Sequence, residues 1–563
     1  MRSTRSSVVA RVLACSLLIL VGCSEAEGAD PEPELGVESG LPADVEPRRG
    51  GRLVYGLEAE SNDGFCLSSA TLAMSGLQVV RSIYDHLTIP DGKGGYLPYL
   101  AESVTSDDSF KVWTIKLRPG IEFHDGNPLD AATVKANLDA FRGAEGDHAR
   151  QSLLFAFSLK NIDTVEVVNE LTVRVRTVEP QRAFPGILYS SGRLAMMSPT
   201  QLHASEEDCA TKPSGTGPFE FVRWEPGESM VLRRNPDYWQ EAPDGQPYPY
   251  LDSIEYRPIP NNDRRIAALR EGDINMMITS AAKDMVTSLS ELRDAGDINL
   301  LISTTQTEVT YGILNTSRPN LAIRELRVAA VQAIDFERLN DIGNAGFPEI
   351  AQGPFGEGVL GHLEDNGYPE YDPEAAKATV EQFKEDGVST SFSFLSPDSP
   401  SNLRLAVLVQ SMLNDVGFDV TLEVVSEAEL IDRVIAGEFD VASFRNHPGE
   451  DPDLNYVWWY GTSPENVNPV NFGRFDDPII NENLDIGRSS GDDAERKAAY
   501  EAVNRQFGKE VWNVWIYYAP WAVAEAENVH GILGPDTPSG DPATSRIVNG
   551  HPTLGIWIDE PRG

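Results

Sequence analysis

Basic residues are scarce in this chain. Lys and Arg total 46 against 87 Asp and Glu, a formal charge of −41 over 563 residues. A nucleic-acid partner needs a basic face that displaces counterions from phosphates, so nucleic-acid binding is excluded. Catalytic signatures are missing too: there is no Gly-x-Ser-x-Gly elbow to present a nucleophilic serine and no His-Glu-x-x-His helix to hold zinc. Carboxylate pairs are too common in so acidic a chain to mark a hydrolase. His447 has acidic neighbours but no second histidine at ligand spacing, so neither a metal nor another cofactor is expected. No internal repeat occurs, and no segment is apolar for the roughly 20 residues that a spanning helix needs.

What is present starts at the N-terminus. Arg2, Arg5 and Arg11 lead into an apolar run from Val12 to Val21, the layout of a secretory signal. The run ends in Leu20-Val21-Gly22-Cys23, which resembles the bacterial lipobox. That resemblance implies cleavage before Cys23 and lipid on its thiol, anchoring the protein to the outer face of a membrane or in the periplasm. Residues 1–22 are read as signal, and 23–50 as a disordered tether with several Glu, Asp and Pro and no aromatics. Of four cysteines, Cys15 leaves with the signal and Cys23 carries lipid. Cys66 and Cys209 remain; in an oxidising compartment they suggest one disulfide across more than 100 residues, the alternative being two separate buried thiols.

The remainder is too long for one core, since cores stop growing near ~250–300 residues, so two lobes are expected. Strand and helix patterns alternate. Trp113, Ile115 and Leu117 alternate with polar residues as a half-buried strand, and Asp130 stands as N-cap before a helix bearing Val134, Leu138 and Phe141. Residues 165–177 read as a hairpin broken at Asn169-Glu170, and Asp372-Pro373 opens a further helix. The clearest unit spans 402–441. Leu405, Val409, Met412 and Val416 repeat at helical spacing up to Gly417. Phe418, Val420, Leu422 and Val424 alternate as a strand. A helix with Leu430, Ile431, Val434 and Ile435 closes at Gly437, and Phe439 and Val441 start another strand. Helices between strands predict an α/β fold with a largely parallel sheet.

Several motifs in order resemble the family 5 extracellular solute-binding proteins, the oligopeptide, dipeptide and nickel group of bacterial ABC importers. They are Leu53-Val54-Tyr55-Gly56-Leu57-Glu58, Tyr84-Asp85-His86-Leu87, the decapeptide Leu117 to Gly126, Gly215-Thr216-Gly217-Pro218-Phe219, Asn235-Pro236-Asp237-Tyr238-Trp239 and the stretch Arg327 to Arg338. The resemblance implies a two-lobed periplasmic-binding-protein-like clamp with an extra subdomain in lobe I. Lobe I is then 51–307 with its insert near 75–209, lobe II is 308–518, and 519–563 returns to lobe I and ends in a tail. Pro119-Gly120, Asp125-Gly126, Gly215 and Gly217 read as turns, and His124 as a structural hydrogen-bonding group.

The resemblance places ligand contacts on lobe-facing loops, matched here by Glu58 to Cys66, Arg445 to Asp453, and Trp458 through Phe472. Glu58, Glu60, Arg445, Asn446, Asp451, Asp453, Trp458, Trp459 and Asn471 are the candidate ligand residues. Arg offers a planar fork for a carboxylate, and Trp offers broad walls. Six of them have a plainer reading as well: Trp458 and Trp459 as core, Glu58 and Glu60 as solvated surface, Asp451 and Asp453 as turn-holding groups. The expected role is capture of a peptide or similar small solute by a monomeric, non-enzymatic lipoprotein that delivers it to an ABC permease complex; a secreted hydrolase or a surface receptor are the competing classes. Dipeptide-binding relatives hold the amino group with an aspartate in the loop that ends Asp-Pro-Asp; that place falls here on Pro448, and a family tryptophan's place falls on Arg445.

Overall fold

The computed structural model describes residues 46–61, 64–144, 152–303, 308–446, 449–462, 468–541 and 550–559. Cys23, the apolar run before it, His447 and Pro448 lie outside these residues. The tether was expected to run to residue 50, but Arg49 is already fixed. Its guanidinium binds both carboxylate oxygens of Asp244 and the carbonyls of Pro247 and Pro249.

Two sheets carry the lobes. The first has seven strands in the order Ile298–Ser303, Trp521–Ala526, Met276–Thr279, Arg52–Leu57, Ser253–Pro258, Ser229–Arg234 and Phe219–Glu225. The second has five: Asp419–Val425, Ser391–Pro397, Val441–Asn446, Val309–Leu314 and Asn513–Tyr518. A four-stranded antiparallel sheet, Ala101–Ser106, Val112–Leu117, Thr172–Thr177 and Ile162–Asn169, forms a separate layer attached to the first lobe's core.

The local patterns produce these elements for visible reasons. Asp130 caps the helix Ala131–Phe141 by accepting from the Thr133 amide. Ser399 does the same for Pro400–Asp415, and Gly417, at φ +105°, turns the chain into the strand Asp419–Val425. The strands of that unit, with Ser391–Pro397 at its centre, pair in parallel. The expectation of a largely parallel sheet is corrected for the rest. Val309–Leu314 enters directly from the first sheet and Asn513–Tyr518 leaves directly for it, with no covering helix at either crossing, and they pair antiparallel.

Three of the signature motifs meet at one buried carboxylate. Asp85 accepts from Thr216 Oγ1 at 3.1 Å and Trp239 Nε1 at 3.0 Å. Burial pushes its pKa up to about 6 against these donors and nearby Arg81. His124 Nε2 lies 2.8 Å from the Gly217 carbonyl, and its Nδ1 accepts from the Gly215 amide at 3.3 Å. A Cβ on Gly215 or Gly217 would sit 2.4–2.5 Å from the Ile83 backbone, so glycine is what lets this strand entry touch the helix Met74–Ile83. The motifs around Asp85 and Gly217 therefore serve packing.

Two connections join the sheets. Ser303 pairs with Trp521 at the edge of the first sheet, Val309 pairs with Tyr518 in the second, and the Ala519 amide donates to the Glu308 carbonyl at 2.9 Å between them. Glu308 and Ala519 thus lie side by side.

Candidate functional site

Glu308 sits in one crossing with its carboxylate buried. Trp521 in the other crossing donates its indole N–H to Glu308 Oε2 at 2.6 Å. Arg445, near the end of Val441–Asn446, reaches the same place from the second lobe. Its Nε lies 3.5 Å from Glu308 Oε1, and its guanidinium carbon lies 5.2 Å from the centre of the Trp521 ring. Burial opposes its charge, but Glu308, Glu58 and Glu427 together hold its pKa above the ordinary value. The side chain is still 36% exposed and donates no hydrogen bond among the described residues. Arg193 approaches from the turn Ser190–Gly192, binding the Leu72 carbonyl at 3.0 Å. Burial draws its pKa down to about 10 despite Glu308 and Tyr189. The lobe junction therefore presents an open fork of donors, an indole face and a fixed carboxylate.

Glu58 follows the first strand. The Ser280 amide donates to its Oε1 at 2.7 Å, Thr279 Oγ1 at 3.0 Å and the buried Arg265 at 3.3 Å. It is thereby held rigid and still adds to the field at Arg445. Glu60 takes another direction, accepting from Trp224 Nε1 and the Gly227 amide, both at 2.7 Å, and so fastens the hairpin turn of Phe219–Arg234.

The other expected residues lie on the second lobe. Asn446 is buried, its Nδ2 3.5 Å from Asn455 Oδ1 and its own Oδ1 without a partner among the described residues. Asp451 takes two hydrogen bonds from Arg496, at 2.8 and 2.9 Å, and caps the turn Pro452–Asn455. Asp453 accepts from Arg488 Nε at 2.7 Å. Trp459 is buried against Tyr311, Phe507 and Trp515 and donates to Asn455. Asn471 is buried and holds the Tyr460 and Phe475 carbonyls. Trp458, half-buried, packs its ring near Phe444 and Phe472. The structure thus gathers Arg445 and Glu58 at the crossings. It does not gather Glu60, Asp451, Asp453, Trp459 or Asn471 there. Glu308, Arg193 and Trp521 join the site without having been singled out from sequence.

A second contact zone lies between the segment 88–193 and the second lobe. The Gly94 amide donates to Glu450 Oε2 at 3.2 Å, and Gln181 Nε2 to Asp453 Oδ2 at 3.3 Å. The Arg182 amide donates to the Arg488 carbonyl at 2.9 Å, and its guanidinium binds the Gly491 carbonyl and Asp493. The lobes are therefore apposed.

Cys66 and Cys209 form a disulfide. It ties the loop after Glu58 to the helix Glu206–Thr211, where the Phe65 amide also donates to the Ala210 carbonyl at 2.8 Å. No group of three or more His, Cys, Asp or Glu among the described residues is placed to hold a metal ion, and no helix among them is long and apolar enough to cross a membrane.

The family model described as bacterial extracellular solute-binding proteins, family 5 Middle, matches residues 95–468. A glutathione-binding protein of Pectobacterium atrosepticum is 27% identical over 345 residues, 61% of this chain and 63% of that protein, so the match spans less than two thirds of that relative. A probable D,D-dipeptide-binding periplasmic protein of Escherichia coli strain K12 is 26% identical over 441 residues, 77% of this chain and 81% of the relative. Among solved structures, the ABC transporter-associated periplasmic binding protein DppA of Helicobacter pylori, in complex with peptide STSA, matches with a TM-score of 0.79 at 23% identity, over 91% of this chain and 99% of that one. At that identity the likeness establishes the fold, a two-lobed α/β clamp.

Proposed function

Because the chain belongs to the family 5 bacterial extracellular solute-binding proteins, we propose that it captures a peptide or similar small solute between its lobes and delivers it to an ABC importer. Members of this family bind and do not catalyse, so the chain is not an enzyme. The observation that carries the reading is Arg445: a charged, partly open fork at the lobe junction whose donors are unused among the described residues. A solute carboxylate or carbonyl there completes hydrogen bonds that only a closed clamp can offer, and so favours closure. Glu58 and Glu308 keep its guanidinium charged, and the crossing at 518–521 acts as a hinge between lobe I, 51–307 with the insert near 75–209 and the return from 519, and lobe II, 308–518.

A free dipeptide is a poor fit. Pro448 stands where dipeptide-binding relatives carry an aspartate for the amino group, and proline offers neither anion nor N–H. Calorimetry against glutathione, D-Ala-D-Ala and the peptide STSA, beside mass spectrometry of the solute that copurifies, tests the reading. The expected result is a carboxylate-bearing solute whose binding does not depend on a free amino terminus. Tight binding of dipeptides that is lost on blocking that terminus contradicts it.

The lipobox at Leu20 to Cys23 motivates a second expectation, an anchored lipoprotein. Cys23→Ser should leave an uncleaved, unlipidated precursor that stays in the aqueous phase on detergent partitioning. A variant that partitions like wild type removes the anchor from the account.

A further inference from the structure

The insert and the second lobe meet through groups that are each held still on their own side. In the insert, Gln181 accepts from Asn161 Nδ2 at 3.1 Å, and its backbone N–H donates to the Phe110 carbonyl at 3.1 Å. The turn at 91–95 belongs to the same body. Its flanking strands, Thr88–Pro90 and Tyr96–Pro98, are tied to the helix Phe184–Ile187 where Thr88 donates to the Pro185 carbonyl at 2.7 Å. In the second lobe, Arg496 and Arg488 fix Asp451 and Asp453, so the loop that carries Glu450 is bound to the helices Pro478–Ser489 and Asp493–Glu510. Arg182 bridges the two bodies: its amide donates to the Arg488 carbonyl and its guanidinium to the Gly491 carbonyl, at 2.9 Å each, and to Asp493 Oδ1 at 2.6 Å. Beside it the Gln181–Asp453 bond is buried. A Cβ on Gly491 would lie 3.1 Å from the Phe110 ring, so that ring packs on the second lobe's backbone. At the far end, the Gly94 amide donates to Glu450 Oε2 at 3.2 Å and the Glu450 amide to Tyr96 Oη at 3.4 Å. Contacts between two stiff bodies form and break together.

We propose that the insert is the latch of the clamp: Gln181, Arg182 and the turn at 91–95 hold the lobes together through protein groups alone, and so multiply the affinity for every solute by one common factor. The proposal rests on the clamp reading above but not on Arg445 or on the identity of a solute. These bonds exist only while the lobes are apposed, so each shifts the equilibrium toward the closed form. A solute that binds the closed form then binds more tightly in proportion to that form's population. Gln181 and Arg182 are thus positioning residues, acting on affinity through the lobes.

Amide hydrogen exchange of the solute-free protein, read residue by residue, tests the latch. The Gly94 and Arg182 N–H groups donate across the gap, so their exchange reports the parting of the lobes. Asp493→Ala removes one end of the latch at a side chain that is 85% exposed, and it leaves the helix cap at Asp492 in place, so the variant should fold. In that variant Gly94, at the other end, should exchange roughly 2- to 5-fold faster, the weight of a partly exposed ion pair. Asp493→Glu should restore most of the protection. The copurified solute, followed by mass spectrometry, should dissociate from Asp493→Ala faster by the same factor. Exchange needs no solute, so an error about what Arg445 binds leaves this result intact. A Gly94 rate unchanged by Asp493→Ala, faster exchange confined to the helix Asp493–Glu510, no recovery in Asp493→Glu, or a solute dissociation rate that does not follow the exchange overturns the proposal.

Discussion

Arg445→Ala should bind the copurified solute roughly 10- to 100-fold more weakly than wild type, because a hydrogen bond to a charged group contributes about 1.5–3 kcal/mol. The effect belongs to the solute rather than to folding: the side chain is 36% exposed, and its polar contact among the described residues is a 3.5 Å ion pair with Glu308. Arg445→Lys separates the two things that arginine provides. A lysine keeps a cation beside Glu308 but loses the planar fork, so it should melt like wild type and restore affinity only in part. Calorimetry of the three proteins decides the matter. If Arg445→Ala binds as wild type does, the solute sits elsewhere and the anion-facing reading of the junction is wrong.

Reducing the Cys66–Cys209 bridge should cost the first lobe about 5 kcal/mol, the chain-entropy expectation for its sequence separation of 143 residues. Scanning calorimetry with and without reductant should show the first lobe's transition fall on the order of 10 °C, with the second lobe's left nearly in place. Cys66→Ser with Cys209→Ser should reproduce the shift and then be indifferent to reductant. A second consequence reaches the solute. Cys66 ends the loop that begins at Glu58, so loss of the bridge frees that loop, and affinity should fall alongside stability. Equal melting curves for oxidised and reduced protein would falsify the stabilising role.

How much of this was legible in sequence differs from element to element. The unit from 402 to 441 was readable because its helices and strands each bury one regular face, and glycines at 417 and 437, both at positive φ, mark the ends. The sheet directions were less so. Nothing in Val309–Leu314 or Asn513–Tyr518 tells which way a strand runs when the chain enters or leaves a lobe through it. At the junction, Arg445 and Glu58 were visible because each sits at the end of a recognisable strand. Glu308, Trp521 and Arg193 were not, since they come together from segments far apart in sequence and share no local pattern. Asp451 and Asp453 show the opposite problem. An Asp-Pro-Asp run looks the same whether it faces a ligand or an arginine, and their partners Arg496 and Arg488 lie on two later helices.

The placement of Trp521–Ala526 also governs the order in which the molecule can assemble. This strand is inserted second in the seven-stranded sheet, hydrogen-bonded to Ile298–Ser303 on one side and Met276–Thr279 on the other. Until residue 526 has emerged, Ile298–Ser303 has no neighbour through which to join that sheet, whereas the five strands between Val309 and Tyr518 are complete without it. The half of the molecule that is synthesised first is therefore the last to be finished. In a chain of an extracytoplasmic family this leaves the edge strand Ile298–Ser303 outside the native sheet until the last strands of the chain have arrived.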